Sequence, residues 1–415
     1  MRSPIFFWSI LALIILAEFY GYVAVRTAFA PASAGGRRAV VLLYWLLTAG
    51  TWALAFWAGA TRQTGATTLK PYLMSLPLLL LAGKIVLLIP MLLEDVSRLA
   101  ARIFFRGTQP AGTTEEPLLS RSQFVSRLAL GLGALPIVAL LWGILKGATN
   151  YKVRRVSLKF PNLPPAFDGF KVIQISDLHT GSFTSTEPLQ RAVALINAQK
   201  ADLILMTGDL VNNLATEVEP HMPALSQIKS ELPIFSSLGN HDYGDYVAEF
   251  RTDRTLWQQN LTRLMQNHAR LGWTLLNDAS HTIRRGEDRI AVIGVQNCSA
   301  HANFHSYGNL AQAHAQSGDA PFKILLSHDP SHWEQQVLGY PDIDLTLSGH
   351  THGMQFGVNL PFLKWSPVQY VYKQWAGLYR NGRQHLYVNT GLGYLGYPGR
   401  VGFLPEITVF ELRRA

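Results

Sequence analysis

Residues 171–179, KVIQISDLH, decide the reading of this chain. The apolar run Val172-Ile173-Gln174-Ile175 reads as a buried strand, and it runs out onto Asp177-Leu178-His179. The end of a strand is where α/β sheets carry function, and an Asp and a His two apart can reach one cation if the backbone bends slightly. Four more blocks follow in the same style. The strand expected at 203–207 leads into Gly208-Asp209, and that at 233–238 into Gly239-Asn240-His241-Asp242. The strand at 323–327 leads into His328, and that at 345–348 into Gly349-His350-Thr351-His352. Taken singly, Asp-x-His and Gly-Asp are ordinary turn sequences. Five such blocks in order, each at a strand end, describe a dinuclear metal site.

The residue types suit that chemistry. Gly208 lets the backbone turn sharply and bring Asp209 inward, and a carboxylate can bridge two cations about 3.5–4 Å apart. Asn240 adds a neutral oxygen. His350 and His352 bracket Thr351; in an extended segment residues two apart share a face, so this pair is expected to address adjacent ions. The donors are nitrogen and oxygen with no thiolate, which suits Mn, Fe, Zn or Co. Histidines 221, 268, 281, 301, 305, 314, 332 and 385 lack such framing and read as surface or core residues.

Composition divides the 415 residues in two. Residues 1–150 hold 13 of the 36 Lys+Arg and 5 of the 27 Asp+Glu, a net of +8; residues 151–415 hold 23 and 22, a net of +1. The positive charge therefore flanks apolar segments, where it acts as a topology signal and headgroup contact. It is not gathered on the folded part, as a nucleic-acid surface would require, so no nucleic-acid binding surface is expected. Segments 4–25, 39–59, 72–93 and 128–148 each approach or exceed the roughly 20 apolar residues that span a bilayer. The third carries Lys84 between Pro77 and Pro90, so it is expected to kink or to face a polar interior. Glu18 is the other charge within the neighbouring spans, which makes a structural partner or snorkelling the expected role of Lys84. Ala32-Ser33-Ala34 resembles a signal-peptide cleavage site, but the preceding apolar stretch exceeds the usual h-region of about 7–15 residues; an uncleaved anchor is expected. Basic residues number 8 on one side of the expected topology and 7 on the other, a balance that selects no orientation. The single Cys298 allows no intrachain disulfide.

A multi-pass membrane region over 1–150, with a flexible loop at 106–121, is thus expected before an α/β domain over 151–415. Helices are expected at 188–199, 223–230 and 250–271. Further strands are expected at 274–276, 281–285, 289–295, 384–389 and 406–412. Alternation followed by consecutive strands predicts stacked sheets covered by helices.

The five blocks resemble the calcineurin-like metallophosphoesterase superfamily, whose order is D-x-H, G-D, G-N-H-D/E, H and G-H-x-H, over residues 168–415. Gly377-Leu378-Tyr379, Gly391-Leu392-Gly393 and Pro405-Glu406-Ile407 resemble its membrane-associated bacterial branch, and the layout resembles transmembrane proteins with a metallophosphoesterase domain. Met354 stands where that branch often has a second glycine. The resemblance implies a four-layer α/β/β/α sandwich and two divalent metal ions. One would be held by Asp177, His179 and His352 and the other by Asn240, His328 and His350, with Asp209 bridging. It assigns His241 to phosphoryl-oxygen stabilisation or leaving-group protonation. The implied reaction is hydrolysis of a phosphodiester, phosphomonoester or pyrophosphate bond by in-line attack of metal-activated water. Phe362, Trp365, Tyr370, Tyr372, Trp375 and Tyr379, close in sequence to the histidine pair, favour a lipid-linked substrate over a soluble nucleotide, although core packing explains most such clusters. By analogy within the superfamily, a UDP-diacylglucosamine-type pyrophosphate is one such substrate. The expected setting is a bacterial inner membrane, with the lipid bilayer as partner. The alternative from another class is a non-catalytic metal-binding sensory or interaction membrane protein; a transporter is disfavoured by the few polar residues inside the spans.

Overall fold

The computed structural model describes residues 4–60, 69–104 and 120–415. The chain divides into two compact units, one holding the helices up to Trp142 and the other running from Gly143 to the C-terminus. The expected 106–121 loop lies mostly outside the described residues.

The first unit is built from α1 (Pro4–Ala28), α2 (Ala34–Ala60), α3 (Leu69–Phe104) and α4 (Arg121–Leu145). Four helices in the described residues are long and apolar enough to cross a membrane. Two of them outrun their apolar cores. α3 continues to Phe104 and α4 starts at Arg121 because Leu, Ala and Arg keep helical propensity after hydrophobicity falls. α3 also passes Pro77 and Pro90 as one helix. Lys84 faces the interior of this unit, as one expectation had it. Its ammonium donates to Glu18 Oε2 at 2.6 Å and to Thr48 Oγ1 at 2.8 Å, and Tyr44 donates to the same Glu18 oxygen at 2.9 Å. Beside it Gly83 faces Gly133, where an added Cβ would meet the Gly133 carbonyl at 2.6 Å, so the two glycines let α3 and α4 touch backbone to backbone.

The second unit follows in the order β1 (Lys152–Phe160), β2 (Phe170–Ile175), α5 (Glu187–Asn197), β3 (Leu203–Thr207), α6 (Met222–Leu225), β4 (Phe235–Ser237), α7 (Ala248–Thr252), α8 (Arg254–Arg270) and β5 (Thr274–Leu275). Then come β6 (Ala279–Arg285), β7 (Asp288–Gly294), α9 (Leu310–Ala315), β8 (Lys323–Leu326), α10 (Ser331–Gln335) and β9 (Leu345–Ser348). The hairpin β10 (Val358–Leu360) and β11 (Leu363–Trp365) precedes β12 (Gly377–Asn381), β13 (Gln384–Val388) and β14 (Glu406–Arg414). One six-stranded sheet has the order β1-β14-β2-β3-β4-β5, the other β12-β13-β9-β8-β7-β6. The central strands run parallel in both: β2 to β5 in the first, and β13, β9, β8 and β7 in the second.

The two sheets pack face to face. Phe170, Val172, Leu203 and Leu205 of the first meet Val292, Ile324, Leu345 and Leu347 of the second. On the outer face of the first sheet, Ile173, Ile175 and Met206 are covered by Leu189, Val193 and Ile196, the apolar stripe of α5. On the other side Ile293, Leu325 and Leu386 are covered by Leu310 and Trp333. The result is the four-layer α/β/β/α sandwich expected from the sequence. The helix expected over 250–271 is interrupted, because the Asp253 carboxylate accepts the Thr255 and Leu256 N–H groups and starts α8 there. That expected over 223–230 shortens to the four residues of α6.

Lys84→Met is expected to destabilise the full chain in detergent by about 3–5 kcal/mol, because it leaves the Glu18 carboxylate buried and short of its cation. Adding Glu18→Gln should restore most of the melting temperature. Equal melting of the single and double variants would show that the pair carries no such weight.

Candidate metal centre

Every predicted site residue lies just beyond the C-terminal end of a parallel strand: Asp177 and His179 after β2, Asp209 after β3, Asn240 and His241 after β4, His328 after β8, His350 and His352 after β9. Register then brings them together. Ile175 pairs with Met206 and Leu326 with Leu347, so the residues past each pair share one rim. The rims of the two sheets are cross-linked. Gln174 Nε2 donates to the Ser348 carbonyl at 2.8 Å, and the His328 Nδ1–H donates to the Thr207 carbonyl at 2.7 Å. That second bond turns His328 Nε2 toward Asp209.

Two groups of ligand-type atoms result, Asp177 with His179 and His352, and Asp209 with His328 and His350. In the first, His352 Nε2 lies 3.2 Å from Asp177 Oδ1 and 3.0 Å from His179 Nε2. In the second, His328 Nε2 is 3.1 Å from Asp209 Oδ2. The same Asp209 oxygen is 3.6 Å from His179 Nε2, so one carboxylate faces both groups. Asn240 joins the second group through Oδ1, 2.7 Å from His350 Nδ1. His241 is oriented twice: its N–H donates to Asp209 Oδ1 at 2.8 Å, and its Nδ1–H donates to the Asn212 carbonyl at 2.7 Å. Its ring packs edge-to-face with His179, with centroids 5.1 Å apart, and no hydrogen bond to Nε2 is seen among the described residues.

The segment 350–352 is not extended, contrary to the sequence expectation. His350 and His352 take φ of 70° and 53° around a right-handed Thr351. Left-handed turns, rather than strand alternation, send the two histidines to different groups. Asp177, His179 and Asp209 have φ of 50°, 46° and 58°, so five of the seven expected ligands are in the region that disfavours side chains. Glycine makes the approach possible: a Cβ on Gly349 would stand 2.1 Å from Asp177 Oδ2. Met354 continues the turn at φ 55° with its side chain exposed, while Gly353 before it lies against the Phe403 ring.

These residues fit divalent cations. Asp177, His179, Asp209, His328 and His352 are buried, and the His179, His328 and His352 Nε2 atoms crowd the Asp177 and Asp209 oxygens at 3.1 to 3.6 Å, a gathering of polar atoms that is costly unless protons or ions satisfy it. Two imidazoles stacked with their Nε2 atoms 3.0 Å apart beside a carboxylate need a shared proton or a shared cation. Burial pushes the His179 and His350 rings down to about 3 and about 4, so both are neutral and able to ligate. Burial raises the Asp177 carboxyl to about 7. Burial opposes charge on His328 and Asp209 alike, but their mutual attraction outweighs it, raising His328 to about 10 and holding Asp209 well below the usual carboxylate range.

Sequence reading missed the residues that hold this set in place. Asp242 accepts the N–H groups of Asp209, Leu210, Val211 and Gly239 at 2.8 to 3.3 Å. Its block was visible, but its role as a loop clamp was not. Asp329 presents a buried carboxylate 3.6 Å from His350 Nε2, and the Tyr372 hydroxyl reaches that nitrogen at 2.7 Å. Arg400, fully buried, donates to His352 Nδ1 at 3.0 Å and to the Thr390 carbonyl at 2.7 Å. The aromatic cluster divides: Tyr372 and Trp375 are buried against Val368 and Phe403, whereas Phe362 and Tyr370 are exposed.

A cation entering this site must expel the protons held by His328 below about 10 and by Asp177 below about 7. Affinity for Mn²⁺ should therefore rise between pH 6 and 8 by about tenfold per pH unit for each proton displaced. Calorimetry in buffers of different ionisation enthalpy should register the released protons. An affinity flat across that range would contradict the protonation pattern.

Comparison with known proteins agrees with this geometry. Residues 1–148 match the family model "Probable Calcineurin-like phosphoesterase, transmembrane domain", and residues 170–354 match "Calcineurin-like phosphoesterase". The uncharacterized metallophosphoesterase YkuE of Bacillus subtilis is 31% identical over 307 residues, covering 71% of this chain and 98% of that protein. A zebrafish (Danio rerio) transmembrane protein with metallophosphoesterase domain is 29% identical, covering 73% of this chain and 66% of its own length. The phosphodiesterase YaeI of Escherichia coli is 29% identical, over 59% of this chain and 82% of that protein. With its apolar helices, paired ligand groups and these relatives, the chain belongs to the calcineurin-like metallophosphoesterase family, as an integral membrane, metal-dependent phosphoesterase.

Proposed function

We propose that residues 151–415 form a hydrolase domain carried by a membrane domain over 1–150, and that it cleaves a phosphodiester or pyrophosphate bond by in-line attack of water. One ion would be held by Asp177, His179 and His352 and the other by Asn240, His328 and His350. The observation that carries the reading is Asp209 Oδ2, which faces both groups from 3.6 and 3.1 Å as a bridging carboxylate must. When bound, two divalent cations acidify water and offset charge on the phosphoryl oxygens. The chain's own residues do the rest. His241, its Nδ1–H committed to Asn212, presents Nε2 to the phosphoryl group, where a ring proton would steady a developing oxyanion or pass to the leaving group. Tyr372 and Asn240 fix the plane of His350 from both sides.

Beside Asn240 a cavity of about 460 Å³ is lined by Tyr246, Arg251, Arg254 and Trp257. The Arg254 guanidinium lies 4.0 Å from the Trp257 ring centroid. Two arginines there suit a substrate with charge beyond the scissile phosphate, which favours a pyrophosphate or diester over a simple monoester. The exposed Phe362, Tyr370 and Val371 support a lipid-linked substrate, and the bacterial relatives support a bacterial inner membrane as its setting.

The full chain in detergent with Mn²⁺ should hydrolyse bis-p-nitrophenyl phosphate, and Asp209→Ala should bring turnover to background with loss of bound metal. Absence of turnover from the metal-loaded protein with this ester and with lipid-linked pyrophosphates alike would overturn the hydrolase reading. His241→Ala should keep both ions while kcat falls by about 10²–10³. Unchanged kcat at full metal occupancy would remove His241 from the chemistry.

A further inference from the structure

Away from the metal centre, the start of β1, the start of β14 and the β10–β11 hairpin enclose a second cavity of about 270 Å³. Lys152, Arg154 and Lys364 line it against one carboxylate, Glu406. That carboxylate is already engaged. It accepts from the Tyr387 hydroxyl at 2.5 Å and the Thr408 hydroxyl at 2.7 Å, and lies 3.4 Å from Arg154 Nε. Lys364 donates to the Ala376 carbonyl, sits 4.7 Å from the Trp375 ring centroid, and pairs with no carboxylate among the described residues. Burial, then the charge of Arg154, lowers its pKa, the pressure an incoming anion would relieve. Three cations thus converge where one committed carboxylate cannot neutralise them.

The hairpin bordering this cavity is apolar on its exposed side. Phe362 at its tip is 85% exposed, and Leu360 and Leu363 beside it are each about half exposed. Such side chains on a soluble surface mark a contact site. Only six residues, 146–151, separate the end of α4 from the start of β1, so a lipid surface is the phosphate source that the chain itself carries with it.

We propose that this cavity binds the phosphate of an anionic phospholipid headgroup, with the Phe362 hairpin set among the neighbouring acyl chains. The phosphodiester anion accepts from Lys152, Arg154 and Lys364 in place of water. Phe362 and the two leucines add apolar burial that a free phosphate could not use. The inference concerns a site other than the metal centre and does not depend on turnover.

The test uses the full chain in nanodiscs containing photoreactive phosphatidylglycerol or photoreactive phosphatidylcholine, with adducts mapped by mass spectrometry. Phosphatidylglycerol should label residues 358–365 well above phosphatidylcholine. Lys364→Gln and Lys152→Gln should each lower that labelling about fivefold, with melting temperature and metal content unchanged. Lys152 is exposed and makes no ion pair among the described residues, so its variant keeps the test valid should Lys364→Gln disturb the hairpin. Equal labelling by the two lipids, labelling indifferent to both substitutions, or loss of labelling on adding inorganic phosphate would each overturn the proposal, the last in favour of a soluble anion.

Discussion

The bond from His328 Nδ1–H to the Thr207 carbonyl is the constraint on which the rest of the catalytic unit depends. It ties the rim of one sheet to the rim of the other at the point where both ladders stop. A carbonyl at the end of a buried strand has to be paired, and here a side chain from the opposite sheet does it at 2.7 Å, helped by the Ser176 hydroxyl at 3.3 Å. The same bond fixes which ring nitrogen remains, so Nε2 can only face Asp209. Asp209 is positioned in turn by Asp242, whose carboxylate gathers the backbone N–H groups of residues 209 to 211 and 239. Sheet packing, imidazole tautomer and loop shape therefore form one linked arrangement that positions the Asp209 carboxylate.

That arrangement is strained. Residues held with positive φ cost roughly 1–3 kcal/mol each when they carry a side chain, and Asp177, His179, Asp209, His350 and His352 all do so. With buried imidazoles and carboxylates crowded to 3.0–3.6 Å besides, the rim would not persist alone. It persists because the layers behind it over-determine it. The sheet-to-sheet core and both helix-covered faces hold the strands whose ends supply these turns. Divalent ions would return part of that cost on binding, once the protons on His328 and Asp177 are displaced, since the donors are already aimed.

The strands of the rim were legible in sequence because each ends abruptly: an apolar run such as 172–175 stops at a polar block, and a buried parallel strand has nowhere else to place those residues. Residues whose role depends on a partner far along the chain were not legible. Arg400 reads as one more basic residue, yet it lies wholly buried against His352, 48 residues before it. Asp329 was overshadowed by His328 beside it. β1, KVRRVSLKF, escaped notice because its two adjacent arginines obscure the alternation, which only its pairing with β14 makes useful. The 350–352 turn was misread because residues two apart share a face only if the backbone is extended, and no propensity rule anticipates two left-handed histidines on either side of a right-handed threonine in a buried loop.

Charge gives a further reason for this choice of ligands. Two carboxylates, four histidines and one asparagine would hold two divalent cations, leaving an excess of two positive charges within a buried rim. Asn240 matters here: a carboxylate in its place would remove half of that excess. A bridging position would need an anion, and His328 and His241 hold Asp209 well below the usual carboxylate range against the pull of burial. Asp329, buried 3.6 Å from His350 Nε2, adds a negative charge beside the second group. An anionic phosphoester would thus be drawn to the loaded rim by charge, and on the proposed reading the Arg251 and Arg254 lining the cavity beside Asn240 would extend that attraction. The residues that make the empty rim costly to fold are the ones that would make the loaded rim electropositive, and both follow from placing neutral donors where carboxylates would have been easier to satisfy.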